Sequence, residues 1–236
     1  MKNFILNNHV VITYVIEFIA VLVGFFSYKK YQHTTAISFI HILFFIFFIE
    51  LIGSYPNYYN KLEFLNPLYN SVFRQNYWWF TIFFDVIIVF LFSRLFLKVL
   101  NIRFLNRLVN ISSIIFLVFS TIFLFVNYEK LFFQVFPFIQ IVGSLLIIIS
   151  TISYFIELIL SDKILYFYRD LYFYIAVALF MWWIIMTSLS FYDIYSKNGD
   201  WNFILLKWQI YLIANMFMYI TFAIGLIVSK PEKIND

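Results

Sequence analysis

Four ionisable side chains stand inside long apolar stretches of this sequence: Glu17, His41, Glu50 and Asp85. A charge taken out of water is costly unless it finds a partner, a wet cavity or a neutral protonation state, so each of the four asks for a physical explanation. At roughly 1.5 Å per residue along helices through these stretches, Glu17 and Asp85 each lie about 12 Å from the same end of the helices, and Glu50 about one turn from it. Gln140, Lys207, Gln209 and Asn215 fall in the same half.

Helical spacing says which of these side chains can meet. In the first apolar stretch Thr13, Glu17, Ala20 and Gly24 form one stripe of polar and small residues, the kind that faces other helices and not lipid. The third stretch offers Trp78, Thr81 and Asp85, the fifth Gly143, Ser150, Tyr154 and Glu157, the sixth Trp183, Thr187 and Ser190, and the seventh Trp208, Tyr211, Asn215 and Tyr219. Together they can line an outward-facing pocket with carboxylates at its floor and aromatic walls. Its candidate ligand-binding residues are Glu17, Trp78, Thr81, Asp85, Gln140, Trp183, Thr187, Tyr211 and Asn215. A rim charge pair is expected between Glu50 and Lys207 or Arg74. His41 and Glu50 are nine residues apart, about half a turn out of phase, so they cannot both point into the pocket.

A plainer reading competes with this one. Glu17, Asp85 and Asn215 can serve as interhelical hydrogen-bond glue, the adjacent Trp182 and Trp183 as packing, and Glu157 and His41 as snorkelling or capping groups.

Several chemistries are excluded. Cys is absent, which removes thiolate nucleophiles, disulfides and Cys metal sites. A retinal Schiff base needs a lysine in the middle of the last helix, and residues 210–228 contain none. Bis-His haem needs two buried imidazoles, and zinc hydrolysis a cluster such as H-E-x-x-H, which His9, His33 and His41 do not form. Neither a G-x-S-x-G elbow nor a P-loop occurs. The reading is of a non-enzyme with no cofactor and no metal, and carboxylates are the only groups left for chemistry.

The elements that must hold these residues follow from composition. Of 236 residues 64% are hydrophobic and 12% charged, 34 are Phe, and the mean hydropathy is +0.91. Such a chain requires lipid as its solvent, and backbone pairing in lipid leaves only helices or a closed barrel. Continuous apolar runs, not ten-residue alternation, select helices. The runs lie near 9–28, 35–54, 77–97, 109–127, 136–158, 171–191 and 204–228. An all-α membrane protein is expected, one transmembrane domain over 1–236 built as a bundle of seven helices. The connector from Tyr55 to Asn76, with Pro56, Pro67 and several Asn and Tyr, reads as an ordered loop with turns.

Basic residues orient the bundle. One set of connectors holds ten, namely Lys29, Lys30, Arg94, Lys98, Arg103, Arg107, Lys163, Arg169, Lys230 and Lys233; the other holds six, Lys2, Lys61, Arg74, Lys130, Lys197 and Lys207. The first set is expected in the cytoplasm, which puts the N-terminus outside and the C-terminus inside. Tyr58, Tyr59, Tyr69, Tyr77, Trp78, Trp79, Trp201 and Trp208 then form an outer aromatic belt, and Tyr28, Tyr31, Tyr166, Tyr168 and Tyr172 an inner one. Asn7, Asn8 and His9 interrupt the initial apolar run and no small-residue cleavage site follows, so the first helix reads as uncleaved. The net charge of +4 belongs to membrane flanks, and no nucleic-acid partner is expected. No internal repeat is evident, and Pro137 alone approaches the broken helices of inverted-repeat transporters.

Ile16-Glu17-Phe18, Asn66-Pro67-Leu68-Tyr69-Asn70, Gly143-Ser144-Leu145-Leu146 with Tyr154-Phe155 and Glu157-Leu158, and Asn215 through Tyr219 to Gly225 carry a resemblance over nearly the whole chain. They resemble a family of small, uncharacterised seven-helix membrane proteins of Bacteroidota. The resemblance implies a stand-alone sensor domain in a bacterial cytoplasmic (inner) membrane, sometimes found near signalling kinases. Three function classes follow. The first is a receptor-like sensor subunit whose outer pocket binds a ligand and which signals through a membrane or cytoplasmic partner protein. The second is a small transporter or proton-coupled channel using Glu17 and Asp85, and the third an oligomeric pore-forming effector or assembly subunit, homo-oligomerisation staying open.

Overall fold

A computed structural model describes the backbone of residues 2–195 and 201–231, and the side chains of 11–191 and 205–231. The expectations placed on Lys2, Lys197, Trp201 and Lys233 fall outside the described side chains. Among the described residues the chain is helical without strands. Its seven main helices are α1 (Lys2–Tyr31), α2 (Ile37–Gly53), α3 (Tyr77–Leu97), α4 (Arg103–Val126), α5 (Pro137–Leu160), α6 (Leu171–Tyr195) and α7 (Trp201–Val228).

Six of them are long and apolar enough to cross a bilayer, which makes the chain an integral, multi-pass membrane protein. The exception is α2. Its 17 residues reach about 25 Å, short of a hydrocarbon core of roughly 30 Å. It is also among the better packed helices, with Phe39, Ile40, Ile42, Leu43, Ile46 and Ile49 all buried. The expected start of α4 at 109 is corrected to Arg103: the first turns are helical but carry the exposed Arg103 and Arg107, so charge hides them from an apolar-run reading.

Helix contacts run α1–α2, α2–α3, α3–α5, α5–α6, α6–α7 and α7–α1, a closed ring of six, with α4 packed outside against α3 and α5. Close approach of α3 and α5 depends on Gly143, where a Cβ would stand 3.4 Å from the Asp85 carbonyl oxygen and from Val89.

Polar groups at the more basic end of the ring tie helix termini together. The Glu157 carboxylate accepts from the backbone N–H groups of Asn101 and Ile102 and from the Asn101 amide, at 2.7–3.0 Å, and so caps the start of α4 from α5. Asp170 caps α6 through the Tyr172 N–H and accepts the Tyr154 hydroxyl at 2.7 Å. Lys30 Nζ donates to the Leu226 and Ile227 carbonyls, where a cation suits the C-terminus of α7. Of the inner belt, Tyr31 and Tyr172 are not interfacial but buried. Tyr31 reaches the Leu226 and Ser229 carbonyls, and Tyr172 pairs with the Thr35 hydroxyl.

At the opposite end the Tyr55–Asn76 connector is ordered, as its turn residues predict. Single turns at Tyr55–Tyr58, Glu63–Leu65, Asn66–Tyr69 and Val72–Arg74 use Pro56 and Pro67 at helical N-termini. Tyr55 Oη bridges the Phe73 and Gln75 carbonyls, and Asn76 Nδ2 donates to the Gly53 carbonyl, closing the loop on α2. Burial pushes the Tyr55 and Tyr59 hydroxyls above the ordinary phenol value, which keeps both as donors.

Candidate functional site

The residues Phe80–Ile88 of α3 are wound as a π-helix, continuing as α-helix from Val89. Wide turns of this kind are uncommon and concentrate at functional sites. Here the wide turn carries Thr81 and Asp85 toward the centre of the ring, where both are buried. A cavity of about 380 Å³ opens beside it, in the half of the bundle nearest the Tyr55–Asn76 loop. Its walls come from α2, α3, α5, α6 and α7.

Seven of the nine residues expected to bind a ligand line this cavity: Thr81, Asp85, Gln140, Trp183, Thr187, Tyr211 and Asn215. A hydrogen-bond chain orders them. Ser190 Oγ shares its hydrogen between Gln140 Oε1 at 3.2 Å and the Met186 carbonyl at 3.0 Å, and Gln140 Nε2 donates to Asp85 Oδ2 at 3.3 Å. Across the cavity Trp182 Nε1 donates to Asn215 Oδ1 at 2.6 Å.

Two expected members are elsewhere. Trp78 is directed to the loop, where its indole donates to Tyr55 Oη at 3.4 Å and packs edge-on against Phe73 and Trp79. The reason is the π-helix. Trp78 precedes it, so the angular offset assumed from regular α spacing does not carry across the wide turns to Thr81 and Asp85. Glu17 is fully buried behind the cavity wall; the polar groups acting on it are Glu50 and Tyr219, and neither of its oxygens completes a hydrogen bond.

The rim charge pair is likewise corrected. Glu50 faces the cavity and accepts the Tyr219 hydroxyl at 3.3 Å, with no ion pair to Lys207 or Arg74. Lys207 lies over the Tyr211 ring at 5.6 Å; Arg74 stacks on Tyr69 at 4.4 Å and donates to its hydroxyl. Aromatic rings lie against the cations at this end, and Glu50 turns inward to Tyr219. His41 points the other way, into a groove between α2 and α3, in keeping with the half-turn offset.

Sequence reasoning missed Trp182, which it assigned to packing, and the lining roles of Phe84, Met186 and Met218. The one available signal was Trp182 falling level with Asn215 in the neighbouring helix. Thr81 Oγ1, like both Glu17 oxygens, is buried without a hydrogen-bond partner.

Comparison with protein-family models, with curated proteins and with solved structures gives no match to this chain. These comparisons identify neither a family nor a taxonomic group.

Proposed function

We propose that this chain is a seven-helix, non-enzymatic sensor or receptor-like subunit that binds a small ligand in the cavity and signals through a partner protein. The observation that carries the reading is the cavity itself. Polar and aromatic side chains converge on one 380 Å³ space from five helices, a size and chemistry typical of a small-molecule site. Orientation by basic residues puts the N-terminus and the cavity half outside and the C-terminus in the cytoplasm of a bacterial inner membrane. On this reading α2 crosses as the seventh span, its short apolar length completed by the loop that covers its end. The connectors between helices on the basic side are too short to carry an output domain, and on this reading the signal passes to a partner protein. Photocrosslinking from Lys163 in native membranes tests this: recovery of one signalling protein, with a yield that changes when the cavity is filled by Thr187→Trp, is expected. Recovery of none, or a yield indifferent to Thr187→Trp, contradicts it.

A second reading is favoured by a specific observation. Glu17, Glu50 and Tyr219 form a buried polar series that leads from the cavity into α1, the arrangement of a proton path. In this reading Glu50 joins Glu17 and Asp85, the two carboxylates the sequence offered for proton transfer. Proton flux into liposomes, abolished by Glu17→Gln or Glu50→Gln, would establish a proton-coupled transporter in place of a sensor.

A further inference from the structure

The cavity carries a charge imbalance that narrows its ligand. Asp85 and Glu50 both line it, and each receives one donated hydrogen bond, from Gln140 and Tyr219 respectively. Among the described residues no Lys, Arg or His lines it. Glu17, behind Glu50, adds a third acidic group on the same side. In a low-dielectric interior such groups gain most from a cation brought between them.

An independent observation specifies that cation. Thr81 lines the cavity and is 1% exposed, and its Oγ1 has no hydrogen-bond partner. It stands one helical step from Asp85 in the π segment, so an N–H group held by the Asp85 carboxylate also finds an acceptor in Thr81. Trp182 and Trp183 line the cavity with aromatic rings, groups that suit a positive charge, while Phe84, Met186 and Met218 offer an apolar, adaptable wall to the rest of the molecule.

We infer that the cavity binds a protonated primary or secondary amine with an apolar body, its N–H groups shared between Asp85 and Thr81 and its charge balanced by Asp85 and Glu50. This rests on reading the cavity as a ligand site. An anion would meet two carboxylates. A quaternary ammonium has no N–H for Thr81, and a neutral alcohol leaves the acidic groups without a counter-ion.

Four probes of one shape separate these cases by calorimetric titration of the full-length protein in detergent: phenethylamine, its N,N,N-trimethyl derivative, 2-phenylethanol and 3-phenylpropionate. Phenethylamine is expected to bind at least tenfold more tightly than the alcohol, the order of effect of one charge-assisted hydrogen bond, with the trimethyl derivative weaker and propionate not binding. Asp85→Asn is expected to weaken phenethylamine about tenfold and leave the alcohol unchanged. Glu50→Gln, judged by the same amine-to-alcohol ratio, keeps the test available where the Asp85 variant fails to fold. Alcohol or propionate binding as tightly as the amine, or both variants leaving that ratio intact, overturns the cation while the cavity stands as a ligand site. Binding of none of the four overturns both.

Discussion

The two ends of the helix ring differ in how completely their polar groups are partnered. At the basic end Glu157, Asp170, Tyr154, Lys30 and Tyr31 each reach a backbone or side-chain partner across an interhelical boundary, Ser229 Oγ being the exception. In the half nearest the long loop hydrogen bonds also cross between helices, from Gln140 to Asp85 and from Trp182 to Asn215, but Thr81 Oγ1 at the cavity and both Glu17 oxygens behind it are buried without one, as is Ser120 Oγ on α4 outside the ring. A satisfied polar contact stabilises a bundle, whereas an unsatisfied one costs free energy and is kept for another reason. On the proposed reading, cohesion belongs to the basic end and ligand binding to the loop end.

Substitutions break or sharpen that contrast. The largest effect is expected at Gly225, where a Cβ would stand 2.7 Å from Cβ of Tyr174 on α6. Gly225→Val forces α7 from α6 and is expected to cost about 3 kcal/mol in denaturant unfolding in detergent, or to prevent folding. Glu157→Ala leaves the Asn101 and Ile102 N–H groups without their acceptor and is expected to cost about 2 kcal/mol, seen as a lower unfolding midpoint with cavity binding unchanged. On the cavity side, Asn215→Leu strips the Trp182 indole of its acceptor and is expected to cost about 1 kcal/mol while abolishing binding of a cavity ligand. Glu17→Leu inverts the sign: removing one of two facing buried carboxyl groups is expected to leave stability unchanged or raise it by up to about 1 kcal/mol. If that variant also loses proton flux, the transporter reading gains; if flux is absent from the parent protein, the sensor reading keeps its place.

The sequence made the helices legible because lipid demands continuous apolar runs, and it made Thr81, Asp85, Gln140, Thr187, Tyr211 and Asn215 legible because polar and small residues in lipid turn toward other helices. What it hid depends on geometry that spacing does not encode. The π-helix of α3 displaced Trp78, and helix adjacency put Glu17 beside Glu50 and not beside Asp85. That α4 lies outside the ring follows from which neighbours it touches, and no periodicity within 103–126 states that. Trp182 looked like packing because an indole in an apolar run carries no sign of the amide it faces. Glu157 was expected to snorkel or cap, and it caps a helix other than its own.

The central claim is that the loop-end cavity keeps unsatisfied groups for a ligand and not for cohesion. Thermal unfolding of Thr81→Val in detergent tests it most directly, since the substitution removes one hydroxyl and keeps the shape. The account predicts a melting temperature unchanged or slightly raised, with cavity binding lost. A fall of about 4 °C or more, the signature of losing a hydrogen bond of about 1 kcal/mol in a chain of this size, would contradict it.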